Sequence, residues 1–560
     1  MKYRIVASIA AALILSGITT DVVAQRKKNK VEESIKEATP FSSPKLVVGI
    51  VVDQMRYDYI TRFWDKYKDD GFKRFVNDGF TCKNNHFNYA PTSTGPGHAS
   101  VYTGTTPAAH GIIGNNWYHK VTDKDVYCAG DESYASVGTT SDAGKMSPHR
   151  LVTTTITDQL RLHTQQRGKV IAIALKDRGA VLPGGHMANA AYWFHGKDEG
   201  KWITSSYYMN QLPSWVQNFN KAHSVDAYKK SWTTLEPIAT YIESGTDANA
   251  YEGLFKGETT SAFPHDIPAL WDANGQYDIL KGTPYGNSLT ADFAIEAISQ
   301  EALGIDEDTD FLAVSFSSTD YVGHMYGVNA KEIQDTYMRL DADLARLFKA
   351  LDTKVGAGQY TVFLTADHAA VQVPSYLKDQ KVPAGYFSTS TTKRKLAEFT
   401  KEQYGTADVI KNFSNYQLFL DHVVLRNLGL ELDDVQEELE QELLTYDGID
   451  RVYTGDQMRT QQYQHGIPYI LQNGYNQKRS GDVLVVLTPG VISYSKTGST
   501  HGSPQIYDTH APLLFYGKGI KKGATVTRTE IPDIAPTIAA LLGIAFPNGT
   551  TGTPLEMVLE

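Results

Sequence analysis

Several residues in this chain have the types and spacings of a metal-binding site. In "TDYVGH", Asp320 and His324 stand four apart, so one helical turn brings them together. "TADHAA" holds Asp367 and His368 side by side, "STHGSP" contributes His501, and Asp53 ends the apolar run "KLVVGIVVD". Carboxylate oxygens and imidazole nitrogens are ligands that zinc accepts. A lone histidine is ordinarily a hydrogen-bonded structural residue, whereas a set of them at the ends of apolar runs points to a site. Thr94 lies in "NYAPTSTGPGHASVYTG", just before small residues that read as a helix start with Pro96 in its first turn. Thr94 could be only an N-cap. Metal coordination, however, activates a hydroxyl, and the amides of a helix N-terminus favour an anion. Lys176 and Arg178, in "LKDRGA", add cations at the end of another apolar run.

These residues need elements to carry them. "KLVVGIVVD", "KVIAIALKDR", "DFLAVSFSSTD" and "YTVFLTADH" have the β-branched character of buried parallel strands, and "DVLVVLTPG" and "APLLFYG" read as two more. Helical patterns such as "YDYITRFWDKYKDDGFKRFVNDG", "SLTADFAIEAISQEAL" and "EIQDTYMRLDADLARLFKAL" lie between them. This alternation predicts an α/β fold with a mostly parallel central sheet and helices on both faces. Ligands then gather at the carboxyl ends of the strands, where Asp53, Lys176, Arg178, Asp320, Asp367 and His368 all fall. Two segments interrupt the alternation: residues about 195–285, rich in Trp and Tyr, read as a cap-like insertion, and residues about 370–480 as a smaller α+β insertion.

The N-terminus reads as an export signal over residues 1–25, with basic "MKYR", a short apolar core and cleavage after Ala24. A polar leader over 26–44 and a catalytic domain over 45–560 follow. No transmembrane anchor is expected after cleavage, which predicts a periplasmic or secreted protein. In an oxidising compartment the only two cysteines, Cys82 and Cys128, make a disulfide plausible. They cannot build a thiolate zinc site, so a metal must rest on His and Asp. The net charge of −10 argues against a nucleic-acid partner but allows a small anion in a locally positive site.

"APTSTGPGHAS", "HGIIGNNW", "SFSSTDYVGH", "TADHAA", "STHGSP" and "DIAPTIAALLG" together resemble the alkaline phosphatase superfamily, in family order over nearly the whole mature chain. The nearest resemblance is to the PafA-type secreted alkaline phosphatases of Bacteroidota. It implies an alkaline-phosphatase-like fold and two Zn2+ per chain. It also implies hydrolysis of small phosphate monoesters through a phosphothreonine intermediate on Thr94. One zinc would be held by Asp53, Thr94, Asp367 and His368, the other by Asp320, His324 and His501. Asn115 would hold a phosphate oxygen; Asn116 is the adjacent alternative, and Asn115 is preferred because it directly follows Gly114. Lys176 and Arg178 would reach the remaining oxygens. His98, His110 and His510 fit no ligand role and read as structural or supporting residues.

A monoester carries about two negative charges and a diester one, so two cations aimed at the extra oxygen favour the monoester. A nucleotide pyrophosphatase/phosphodiesterase-like diesterase is the alternative among enzymes. An exported zinc-containing binding protein is the alternative outside them. The oligomeric state stays open, with a monomer as the working expectation.

Overall fold

The computed structural model describes residues 43–560, so the expected signal peptide and nearly all of the leader lie outside the described residues. The apolar run Leu46–Val52 forms β1, buried along its whole length at the centre of the molecule. It pairs in parallel with β9 (Asp310–Phe316) on one side and β10 (Tyr360–Thr365) on the other. The main sheet has ten strands. Besides these three they are β2 (Phe80–Cys82), β5 (Ser136–Val137), β6 (Val170–Ala174), β7 (Ala190–His195), β8 (Lys201–Ser205), β15 (Leu513–Gly517) and β16 (Gly523–Thr525), in the order β16-β2-β15-β10-β1-β9-β6-β7-β8-β5. The five strands from β10 to β7 are mutually parallel. Antiparallel strands flank them on both sides, at β15 and β8. The expected fold class is therefore what forms: continuous β-branched runs become central strands because both faces are covered.

One glycine sets the depth of the central helix. Helix α1 (Thr94–Thr103) is buried at every residue and lies across β1, where its Tyr102 hydroxyl donates to the Gly49 carbonyl at 3.2 Å. A Cβ at Gly49 would stand 2.5 Å from that hydroxyl, so the helix can approach only because the strand has no side chain there.

Three details differ from the sequence reading. The long pattern after Asp53 breaks at Lys68–Gly71 into short helical pieces, Asp58–Arg62, Trp64–Lys66 and Phe72–Asp78. "DVLVVLTPG" supplies β14 (Val483–Leu487), which joins not the main sheet but a separate antiparallel sheet with β11 (Ile410–Ser414), β12 (Gln417–Leu420) and β13 (Ile449–Thr454), in the order β11-β12-β14-β13. That sheet has its own core, including Leu396, Phe413, Leu418, Leu439 and Val483. The plausible disulfide does not form: Cys82 and Cys128 are both free and buried. Cys82 lies in β2 beside Thr529, whereas Cys128 packs against Gly95 at the head of α1.

In the aromatic segment after β7, Trp202 stacks on Phe293 of helix α3 (Pro284–Gln300) with ring centroids 4.2 Å apart. The same segment also reaches the carboxyl ends of the strands: the Gly253 N–H donates to the Met325 carbonyl at 2.7 Å, and the Gly498 N–H donates to the Tyr251 carbonyl at 2.8 Å.

Candidate active site

The residues singled out in the sequence converge where β1, β6, β9 and β10 end. Asp53 directly follows β1, and its N–H still donates to the Phe316 carbonyl. Asp320 and His324 occupy helix α4 (Ser318–Tyr326), which begins after β9; His324 Nε2 stands 3.2 Å from Asp320 Oδ1. Asp367 and His368 follow β10. His501 arrives on a loop and puts its Nε2 3.7 Å from the same Asp320 oxygen, its ring stacked on His368 at 3.4 Å. Two donor sets form: Asp320, His324 and His501, and Asp53, Asp320 and His368.

The imidazoles share one arrangement. His324 Nδ1 donates to the Ser499 carbonyl at 2.7 Å, His501 Nδ1 to the Thr92 carbonyl at 2.7 Å, and His368 Nδ1 to the Ala369 carbonyl at 3.1 Å. Each ring is thereby fixed with Nε2 free to accept, which is how metal-ligating histidines are oriented. His368 Nε2, Asp53 Oδ1 and Asp367 Oδ2 are buried without a hydrogen-bond partner. Orphaned acceptors at one point fit a bound cation, because burying unpaired acceptors is otherwise costly.

The electrostatics agree. Burial, with Asp320 and Asp367 nearby, raises the pKa of Asp53. Burial also opposes ionisation of Asp320, but His324 and Lys176 outweigh it and hold that carboxyl well below its ordinary range. Burial disfavours a charged His368, yet Asp367 and Asp53 push it up to about 9. A buried centre this rich in carboxylates calls for positive charge.

Lys176 supplies part of it. Its ammonium lies 2.7 Å from Asp53 Oδ2 and 2.5 Å from Asp320 Oδ2, at the junction of the two donor sets and over the Tyr321 ring. Arg178, in helix α2 (Asp177–Gly184), places one guanidinium nitrogen 3.4 Å from the Thr94 hydroxyl and donates from another to the Tyr127 hydroxyl at 3.2 Å. Its Nε has no partner. Thr94 is the first residue of α1, and the preceding Ser93 is the cap position, so Thr94 is not the N-cap. Asn115 sits just before the hairpin of β3 (Asn116–His119) and β4 (Lys124–Tyr127), and its Oδ1 accepts from the Gly95 N–H at 2.7 Å. That bond turns the Asn115 amide so that its NH2 group is left to donate elsewhere.

Supporting residues escaped the sequence reading or were left undecided by it. Gln54 is buried with φ +61, an uncommon conformation for a residue with a side chain. Its N–H donates to Asp367 Oδ1 at 3.1 Å and its Nε2 to Asp320 Oδ1 at 2.8 Å. Gly323 makes room for it, since a Cβ there would lie 2.0 Å from Gln54 Oε1. A glutamine beside an aspartate carries no sequence signal of its own. His98 Nδ1 donates to the Thr94 carbonyl at 2.9 Å and lies 3.3 Å from Asp367 Oδ2, while its Nε2 meets Ser315 Oγ at 2.8 Å. It ties α1 to the Asp367 side. His110 bonds Ser100 Oγ at 2.9 Å and His510 stacks on Tyr57, both outside the donor sets.

Residues 47–512 match the family described as type I phosphodiesterase/nucleotide pyrophosphatase. A protein of Myroides odoratus called a calcium-transporting ATPase is 48% identical over 92% of this chain and 95% of its own. Alkaline phosphatase PafA of Elizabethkingia meningoseptica is 44% identical over 92% of this chain and 94% of its own. A crystal structure of wild-type PafA superposes with a TM-score of 0.89 at 43% identity, covering 94% of this chain and 100% of that one. A form of PafA substituted at one threonine, one asparagine, one lysine and one arginine matches as well, with a TM-score of 0.89 at 42% identity.

Proposed function

The chain belongs to the type I phosphodiesterase/nucleotide pyrophosphatase family, and within it we propose a zinc-dependent alkaline phosphatase that hydrolyses phosphate monoesters through a phosphothreonine on Thr94. The observation that carries this reading is the pair of cations in the site: Arg178 against the Thr94 hydroxyl and Lys176 between Asp53 and Asp320. The substituted form of PafA supports the residue roles. Its altered threonine and asparagine are as far apart in sequence as Thr94 and Asn115, and its altered lysine and arginine are two apart, as Lys176 and Arg178 are.

One zinc would be held by Asp53, Thr94, Asp367 and His368 and the other by Asp320, His324 and His501. When bound, they would acidify hydroxyl groups and neutralise charge on the reacting oxygens. In the first step the Thr94 Oγ1–phosphorus bond forms, the bond to the leaving oxygen breaks, and the hydroxyl proton ends on the departing alcohol. In the second, water takes the phosphoryl group and Thr94 regains its proton. Transfer passes through a loose transition state, so the protein contributes position and charge rather than covalent chemistry. The free Asn115 NH2, Lys176 and Arg178 hold the equatorial oxygens, and the start of α1 presents its amides to them. The name of the Myroides relative fits the same chemistry, since the terminal phosphoryl group of a nucleotide is also a dianionic monoester-like group.

Among the described residues no helix is long and apolar enough to cross a membrane. We also propose export, on the signal-like residues 1–25.

The deciding experiment compares kcat/KM for an aryl phosphate monoester and its methyl diester on zinc-loaded protein. A large excess for the monoester, lost on chelation, is the expected result. Preference for the diester would establish a phosphodiesterase instead. Zinc binding without turnover would leave a binding protein.

A further inference from the structure

We infer that Asn415, at the tip of the β11–β12 hairpin, is a positioning residue for the phosphate-holding Asn115. The inference rests on the monoesterase reading above and on contacts that this reading does not use. β11 and β12 pair Ser414 with Gln417, leaving Asn415 and Tyr416 as a two-residue turn with φ +51 and +57. Both residues are therefore left-handed, the geometry of a type I′ turn, in which the second position usually carries glycine. Tyrosine there costs backbone energy, and such strain persists where the surroundings fix it. Tyr416 is held by its own sheet, its carbonyl accepting from the Val485 N–H at 2.8 Å and its ring packing in that sheet's core, and this leaves Asn415 to meet the main body. Asn415 Nδ2 donates to the Asn116 carbonyl at 2.7 Å, and the approach is so close that a Cβ on Gly114 would meet that same Nδ2 at 2.9 Å.

The segment so clamped, Gly114–Asn116, is otherwise held at the Asn115 amide by the Gly95 N–H and at its backbone by two further contacts. The Asn115 carbonyl accepts from the Cys128 N–H at 2.9 Å, and Asn116 pairs with Tyr127 across the β3–β4 hairpin. Tyr127 in turn bonds the Asp177 carboxylate and receives the Arg178 guanidinium. One small hairpin thus mounts both Asn115 and the partner of Arg178; Lys411 and Phe419 of the second sheet meet it farther along, at Asp123 and Tyr118, and Asn415 pins its base beside Asn115. Neighbouring contacts of the same region hold parts of the body other than Asn115: Asn473 Nδ2 donates to the Asn88 carbonyl and Asn476 Nδ2 to the Ala108 carbonyl. Only Asn415 among these acts on the phosphate-holding segment.

The test is a double-mutant cycle on the zinc-loaded enzyme with an aryl phosphate, using N415G and N115A. Glycine keeps the left-handed turn and removes only the amide, so folding is preserved, and an unchanged Tm verifies it. N415A serves as a second variant. The expected result is that N415G lowers kcat/KM by about tenfold in the wild type and has no effect in N115A, because its contribution passes through that side chain. The Ki of inorganic phosphate should rise with N415G in the same proportion. A loss below twofold, or an equal loss with and without Asn115, overturns the inference. If N115A itself leaves monoester hydrolysis unchanged, the assignment of Asn115 fails as well, and that outcome is separate from failure at Asn415.

Discussion

On the proposed reading Arg178 and Lys176 carry the choice of substrate, and each can be tested alone. Removing preorganised charge from the transferring group typically costs about 10²–10³-fold in rate. R178A and K176A should each lose that much kcat/KM on an aryl monoester and clearly less on its methyl diester, which has no second charge for them to meet. An equal loss on both substrates would mean that the pair shapes the site rather than selecting the monoester. T94A should lose at least ~10³-fold on the monoester while Asp53, Asp367 and His368 still retain the metal, checked by metal analysis. At this scale the sequence was informative wherever chemistry needs a rare residue type. The aspartates, histidines and the Lys-x-Arg pair are conspicuous in strings such as "TADHAA" and "LKDRGA". Gln54 was not visible, because its role depends on a left-handed backbone and on the absence of a side chain at Gly323, neither of which has a local signature.

The elements hold those residues by close backbone approach. Gly97, in the first turns of α1, faces the Asp367 backbone, where a Cβ would stand 2.2 Å from the carbonyl oxygen. G97A should push α1 away from the end of β10, lowering stability by about 1–3 kcal/mol. It should also cost far more activity than stability, measured as kcat against the denaturation midpoint. A second prediction concerns the buried carboxyls beside α4. Glu252 accepts from Asn249 and Ser261 at 2.6 Å each, and its pKa is raised to about 8 by burial first and by Glu332 second. Between its ordinary 4.5 and about 8 the folded protein keeps a proton that the unfolded chain has released, so stability falls as pH rises through that window. E252Q should match the wild type in Tm at pH 5 and exceed it at pH 9; parallel curves would show that Glu252 titrates normally. The order of strands was legible only in part. Apolar runs announce β1, β6, β9 and β10, but "DVLVVLTPG" is just as apolar and pairs elsewhere. Pairing is decided by distant partners such as β12 and β13, not by the run itself.

For the molecule as a whole, the metal site binds together segments that nothing local connects. Zinc held there as proposed would stabilise only the folded chain, by about 2.7 kcal/mol per site at a hundredfold excess over Kd. Chelation should therefore lower Tm, and readding zinc should restore it; a Tm indifferent to chelator would contradict metal binding at these carboxylates. Dithiothreitol should leave Tm unchanged, because Cys82 and Cys128 are free thiols.

His501 completes a set that begins with Asp53, across 501 − 53 = 448 residues of chain. During synthesis, Thr94, Lys176, Arg178 and every carboxylate of the set leave the ribosome before the histidine that closes it. A chain interrupted or clipped before that point carries most of the chemistry and no finished centre. Phosphatase turnover is then a report of completed translation, and fragments ending short of His501 stay silent even when most of the fold has been made.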